Sequence, residues 1–206
     1  MSRGLVMGLE VERKYSVDDL DAVRQSLRDR GASWKDRCFE HNVVFDTADR
    51  SLKSRGMLLR LRQTGRRGVL CLKRPPAQEA ASQEAKVFEE VESDVEHPEQ
   101  LQELFRGLGY CDAFRYEKLR EQWVLDECLI CLDLLPFGRY VEIEGSPEAI
   151  SRCALQLGLE AERWTTKTYH QLNQERLAEK GLTPDESFVF QEPERSRLIE
   201  RNDFFC

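Results

Sequence analysis

The sequence predicts an antiparallel α+β domain whose strands can close on themselves, and three observations lead there. Strand-like segments follow one another through short turns, as antiparallel pairing allows. Helix-like segments fall between two groups of strands, which suits an α+β arrangement. Nearly every strand sets apolar residues and charges at alternate positions, so each carries one apolar and one charged face.

The elements follow in order. LEVERKY (Leu9 to Tyr15) is a short strand with Glu10, Glu12 and Lys14 on one side. VDDLDAVRQSLRDRG is a helix: Asp18 or Asp19 caps it, Leu20, Val23 and Leu27 share a face, and Gly31 ends it. FEHNVVFDT (Phe39 to Thr47) alternates as a strand. MLLRLRQ (Met57 to Gln63) and VLCLKRP (Val69 to Pro75) read as a hairpin about the RRG turn. A loop over 76–85 leads to a charged strand, KVFEEVESDVE (Lys86 to Glu96). HPEQLQELFRGLG is a helix with Pro98 near its start and Leu101, Leu104, Phe105 and Leu108 on one face. YEKLREQWVLD, ECLICLDLL and GRYVEIEG are three strands in succession, and SPEAISRCALQLG is a helix capped by Ser146. A last helix spans Thr168 to Lys180. The polar tail from Leu182 to Cys206 reads as weakly ordered apart from a short helix around Arg195 to Arg201. The organisation is one domain over 1–181 with a C-terminal tail over 182–206.

Composition narrows the function. The 206 residues carry 31 basic and 38 acidic side chains, a formal net charge of −7, mixed along the chain rather than segregated. That argues against a nucleic-acid partner or an anionic membrane surface, while leaving room for a local basic pocket. No apolar run approaches a membrane span, and MSRGLVMG is too short for a signal peptide, so the expected location is cytoplasmic. Seven scattered cysteines fit reduced thiols. Cys128 and Cys131 form a CxxC, but on a strand this spacing sends the two thiols to opposite faces, which speaks against a redox or zinc role.

Charge placement carries the rest. Arg60 and Arg62 oppose Leu59 and Leu61, and Lys73 opposes Leu70 and Leu72. Glu90 and Glu92 share a face, as do Lys118 and Arg120; Asp133 follows in ICLDL, and Glu142 and Glu144 alternate with Val141 and Ile143. Any one strand could simply show its charges to solvent. With every strand alike, a barrel whose interior is lined by the charged faces accounts for all of them, since closure removes exposed edges. Burying so many ions costs several kcal/mol each unless they pair or bind something. Arginine forks and lysine suit a polyanion, and hard carboxylate oxygens suit Mg²⁺ or Mn²⁺.

EVERK at Glu10 to Lys14 matches the ExExK signature of the CYTH family, the triphosphate tunnel metalloenzymes, which includes class IV adenylate cyclases and thiamine triphosphatases. It is followed in order by FDT (Phe45 to Thr47), LRLR (Leu59 to Arg62), LKRP (Leu72 to Pro75), EEVE (Glu89 to Glu92), EKLR (Glu117 to Arg120), LDLLPFGRYVEIEG (Leu132 to Gly145) and KTYHQL (Lys167 to Leu172). Together these resemble the family over about residues 5–175.

The resemblance implies an eight-stranded antiparallel β-barrel, a triphosphate tunnel with flanking helices, that binds a triphosphate-containing small molecule with Mg²⁺ or Mn²⁺. Carried over by motif, Glu10, Glu12, Asp133, Glu142 and Glu144 are candidate metal ligands or their supports. Lys14, Arg60, Arg62, Lys73, Lys118, Arg120 and Lys167 form a phosphate grip, and Glu90 sits in the tunnel; Glu10, Glu12, Lys14 and Glu90 are the candidate catalytic set. Three departures stand out: Phe88 where relatives often carry a cation, Asn42 where a carboxylate is common, and LPFGRY in place of LxGLGxF. The implied activity is a metal-dependent triphosphatase, a phosphohydrolase acting on tripolyphosphate, thiamine triphosphate or a nucleoside triphosphate. The alternatives are a class IV adenylate cyclase and a non-catalytic polyphosphate- or nucleotide-binding module. A homodimer stays open.

Overall fold

The structure, a computed structural model, describes residues 11–75, 89–159 and 163–200. Among the described residues nine antiparallel strands form one sheet: β1 (Glu12–Ser16), β2 (Ser33–Thr47), β3 (Leu58–Thr64), β4 (Arg67–Arg74), β5 (Glu89–Val95), β6 (Tyr110–Leu125), β7 (Cys128–Leu135), β8 (Gly138–Glu144) and β9 (Trp164–Thr165), in the spatial order β5-β4-β3-β2-β6-β7-β8-β1-β9. The helices among the described residues are α1 (Leu20–Asp29), α2 (Ser51–Ser54), α3 (Pro98–Gly107), α4 (Pro147–Gln156), α5 (Tyr169–Glu179) and α6 (Glu194–Glu200).

The antiparallel α+β sheet with flanking helices is as expected, and it differs from an eight-stranded barrel in two respects. Trp164–Thr165 adds a ninth strand on the free edge of β1, pairing with Lys14 and Tyr15. The sheet is not closed: β5 and β9 are its edges, with no pairing between them among the described residues. A two-residue strand offers too little backbone to complete a ladder. The sheet nevertheless curls. Lys14 on β1 and Lys118 on β6 are three strand spacings apart, about 14 Å if flat, yet their ammonium groups lie 5.5 and 5.8 Å from the centre of one ring, Tyr169.

The apolar faces bury against helices on the outside. Tyr15, Trp123, Ile130, Leu132, Val141 and Ile143 pack with Val23 and Leu27 of α1 and with Ala149, Ile150 and Cys153 of α4. Val43, Phe45 and Leu61 pack under Leu101 and Phe105 of α3. Asp19 and Ser146 cap α1 and α4 as the sequence placed them, accepting from the Asp21 amide at 2.8 Å and from the Ala149 amide at 3.2 Å, and Thr168 forms a capping box with Gln171 at the start of α5. Cys128 packs in this outer core, while Cys131 pairs across to Glu142 on the other face, as the three-residue spacing requires.

The charged face is covered at one end. Val44, Tyr116, Leu135, Tyr169 and Phe188 form an apolar cluster there, with Leu58, Phe114, Phe137, Tyr140 and Leu172 around it. The described residues after Leu182 pack onto the sheet, against the expectation of a weakly ordered tail. Phe188 pairs with β6 beyond the end of β7, its amide donating to Arg115 O (3.1 Å) and its carbonyl accepting from the Glu117 amide (3.0 Å). Phe190 then packs on the other side of the sheet, with Phe39 and Leu119, and α6 overlaps the short helix expected from the sequence.

Candidate functional site

Cross-strand register puts the predicted charges on one face. Lys14 stands opposite Glu142, Glu12 opposite Glu144, Arg120 opposite Asp133, and Lys118 opposite Glu40. On the other half of the sheet Lys73 faces Glu90, Cys71 faces Glu92, and Arg60 faces Cys71. Residues directly opposite in an antiparallel pair share a face, so these form one continuous charged surface.

Its first half is rich in carboxylates. Carboxylate oxygens of Glu12, Glu142 and Glu144 all lie within 4.8 Å of one another. Lys14 bridges Glu12 and, at 3.7 Å, Glu142. Burial, and then the neighbouring Glu142 carboxylate, pushes the Glu12 carboxyl up to about 7. Burial works against ionising Glu142 as well, but Arg120, Lys14 and Lys118 outweigh it and hold that group well below the usual carboxylate range. Two carboxylates pressed together thus titrate as a pair, with Glu12 raised and Glu142 lowered.

Asp133 is the hub of this half. Fully buried, it accepts from Arg120 at 2.7 and 2.5 Å, from the Tyr169 hydroxyl at 2.7 Å, and has Lys118 at 3.5 Å. Arg120 also reaches Glu142 at 3.2 Å. Asp133 therefore sets the orientation of two cations and a phenol, and it supports the carboxylate trio at one remove.

The second half is cationic with two counter-charges. Arg60 lies 3.8 Å from Glu90 and 3.9 Å from Glu92, Arg62 3.4 Å from Glu92, and Lys73 2.8 Å from Glu90. Burial opposes charge on Glu90, but Lys73 outweighs it and lowers that carboxyl. The Cys71 thiol donates to Glu90 at 2.6 Å, and burial pushes it up to about 12, so it stays protonated. Arg60 Nη1 donates to the Tyr116 hydroxyl at 3.0 Å.

The structure thus brings together Glu12, Lys14, Lys118, Arg120, Asp133, Glu142 and Glu144 on one half, and Arg60, Arg62, Lys73 and Glu90 on the other. Lys167 does not join them: its ammonium is exposed and pairs with Glu175 at 2.7 Å. Glu10 lies outside the described residues, as do Lys86 and Phe88. Residues that sequence reasoning left out are Glu40, Tyr116 and Tyr169. Burial opposes ionisation of Glu40, but Lys118 at 3.6 Å and the nearby arginines lower it to about 2. The alternation of FEHNV carried a signal for Glu40; a tyrosine at a helix start carried none.

Among the described residues two acidic clusters could hold a metal, and they differ in chemistry. The Glu12–Glu142–Glu144 trio offers only hard oxygens, the donor set that Mg²⁺ and Mn²⁺ take, and a bound cation would offset the crowding that raises Glu12. The Cys71–Glu90–Glu92 group includes a protonated thiol and is already neutralised by Arg60, Arg62 and Lys73, so it suits a hard cation less well.

Comparisons with known proteins agree with this geometry. The family profile described as CYTH domain matches residues 8–174. A Methanocaldococcus jannaschii protein named "Putative adenylate cyclase MJ0240" is 25% identical over 139 residues, which span 67% of this chain and 77% of that protein. Among solved structures, a Vibrio parahaemolyticus protein bearing the same kind of name superposes with a TM-score of 0.67 at 22% identity, covering 81% of this chain and 98% of its own. A Hippeastrum adenylyl cyclase homologue described as having a dominant triphosphatase activity superposes with a TM-score of 0.60 at 18% identity, covering 86% and 97%.

Proposed function

Since the chain belongs to the CYTH domain family, we propose that it is a divalent-metal-dependent triphosphatase that binds its substrate on the charged face of the curled sheet. The observation that carries this reading is the division of that face. An all-oxygen carboxylate trio stands on one half beside Lys118 and Arg120, and Arg60, Arg62 and Lys73 line the other. A polyphosphate chain needs both, cations along its oxygens and a metal at the charge that develops on transfer.

Glu12, Glu142 and Glu144 would hold Mg²⁺ or Mn²⁺, with Glu10 a further candidate. Bound there, the ion would supply neutralisation of phosphate charge and polarisation of a P–O bond. The protein's own residues do the remaining work. Arg60 and Arg62 present planar forks that match phosphate oxygens, and Lys73 and Lys118 add point charges. Their counter-ions Glu90, Glu92 and Glu40 hold these side chains in place until substrate oxygens take over, which limits the entropy lost on binding. Asp133 fixes Arg120 through a bidentate pair of hydrogen bonds, accepted from Nε and Nη2. Tyr169 and Phe188 cover one end of the face and exclude water there.

Hydrolysis needs only these parts, whereas cyclisation also requires a ribose held against the α-phosphorus. The triphosphatase activity described for the Hippeastrum neighbour points the same way, although that likeness by itself concerns the fold. The test is to supply ATP with Mg²⁺ or Mn²⁺ and resolve the products. Orthophosphate supports this reading; pyrophosphate with cyclic AMP would replace it with a cyclase.

A further inference from the structure

Lys118 on β6 is buried, yet its ammonium makes no hydrogen bond among the described residues. Its nearest carboxylate oxygens, Asp133 Oδ2 and Glu40 Oε2, stand at 3.5 and 3.6 Å, beyond the roughly 2.7–3.2 Å of an N–H···O bond. Its neighbours on the same face differ: Arg120 donates to Asp133 at 2.7 and 2.5 Å, and Lys14 donates to Glu12. Buried donors are nearly always paired, so something holds this one back.

Register supplies half of the reason. Strands β2 and β7 flank β6, so Glu40 and Asp133 draw Lys118 in opposite directions across the sheet. Tyr169, the first residue of α5 and 8% exposed, supplies the other half. Asp133 Oδ2, the oxygen that faces Lys118, already accepts from Arg120 Nη2 at 2.5 Å and from the Tyr169 hydroxyl at 2.7 Å. Those two donors take up its lone pairs and leave none for Lys118. The ring of the same tyrosine lies 5.8 Å from the ammonium, a cation–π contact that attracts the charge without an oxygen acceptor.

Tyr169 is itself fixed. Thr168 and Gln171 form a capping box at the start of α5, and the Tyr140 ring packs edge-on against Tyr169 at 5.3 Å. Burial, and then the Asp133 carboxylate, pushes the phenol well above its ordinary value, so it stays a donor.

We propose that Tyr169 is the positioning residue of Lys118: its hydroxyl occupies Asp133 and its ring seats the ammonium, so that Lys118 keeps its N–H groups for a phosphate oxygen. This deepens the triphosphatase reading and rests on it. Phosphate oxygens only accept, and an ammonium that makes no hydrogen bond can turn to one without first breaking another. Lys14 needs no such help, because it is already bonded to Glu12. Without the Tyr169 hydroxyl, a lone pair of Asp133 Oδ2 opens and Lys118 closes on it. A triphosphate must then break that charge-assisted bond in order to bind.

The experiment titrates tripolyphosphate by calorimetry into the full chain, Tyr169→Phe, Lys118→Met and the double variant, with excess chelator so that binding is read apart from turnover. Tyr169→Phe keeps the ring and its packing, and its Kd should rise by about tenfold, the worth of a charge-assisted hydrogen bond that substrate must displace. With Lys118→Met there is no ammonium to misplace, and the same change should then alter Kd by less than about threefold. A Tyr169→Phe Kd within about threefold of the parent overturns the proposal. So does an undiminished penalty beside Lys118→Met, which would mean that the hydroxyl acts through Arg120 or through the fold. If the double variant fails to fold, the Kd of Tyr169→Phe decides alone. A parent that binds tripolyphosphate but releases no orthophosphate once Mn²⁺ is supplied overturns the triphosphatase reading and leaves this inference to the Kd values. A parent that binds none overturns this inference.

Discussion

Arg60 on β3 donates to the hydroxyl of Tyr116 on β6 at 3.0 Å, across the intervening strand β2. The bond ties the cationic half of the face to its centre and leaves the rest of the guanidinium turned toward Glu90 and Glu92. Removing the fork should weaken the substrate's hold more than the chemistry. Arg60→Ala is expected to raise KM for tripolyphosphate by about tenfold to hundredfold, the worth of a charge-assisted contact. Tyr116→Phe, which removes only the acceptor, should change KM by less than about fivefold. Steady-state kinetics on both variants check this, and an unchanged KM in Arg60→Ala would remove Arg60 from the grip.

The Glu12–Glu142 pair bears on metal binding. A neutral amide in place of either carboxylate leaves a donor facing the trio. Glu12→Gln and Glu142→Gln should each weaken Mn²⁺ binding by about tenfold or more and abolish metal-dependent turnover. Titration calorimetry with Mn²⁺ checks the first statement without relying on activity. Full affinity in both variants would contradict the assignment of the trio.

His170 supplies a pH test of stability. It lies among the rings of Phe114, Tyr116 and Phe188, with Nδ1 3.3 Å from the Glu186 carbonyl. Burial pushes it down to about 4 from its ordinary value of 6.5. The unfolded chain therefore takes up this proton before the folded one. Its contribution is fully present above pH 6.5 and is lost as pH falls from 6.5 toward 4, by up to about 3 kcal/mol. Urea unfolding across that range, in the parent and in His170→Gln, should show a smaller slope in the variant; identical slopes would refute the reading.

Phe188 shows what the C-terminal segment is worth. It is 5% exposed and touches Tyr116, Phe137 and His170. Phe188→Ala should cost about 3–5 kcal/mol, the range for removing a buried ring. Chemical unfolding checks it, and a loss under about 1 kcal/mol would mean that the segment is not held as described.

The charged face was readable because strand periodicity is rigid. Once Arg60 and Arg62, or Glu142 and Glu144, are assigned to a strand, the pleat dictates that each pair shares a side, and packing of the intervening leucines, valine and isoleucine turns that side inward. Three things were not readable. The sheet's open edges depend on β9, a two-residue strand with no periodic signal. That the Asn42 amide finds no hydrogen-bond partner among the described residues is a property of its neighbours, not of its own residue type. Phe188 and Phe190 sit two apart in a polar stretch, too few apolar positions to announce a packed segment. Lys167 followed the family motif but turned to Glu175, because an ammonium on a flexible stem takes the nearest exposed carboxylate.

The central claim is that this face hydrolyses a triphosphate with a bound divalent metal. It is tested most directly by following tripolyphosphate with the purified chain by ³¹P NMR, with Mn²⁺ or Mg²⁺ and again with excess chelator. The account predicts conversion to equimolar pyrophosphate and orthophosphate with metal and none with chelator. Binding without conversion under either metal would contradict it.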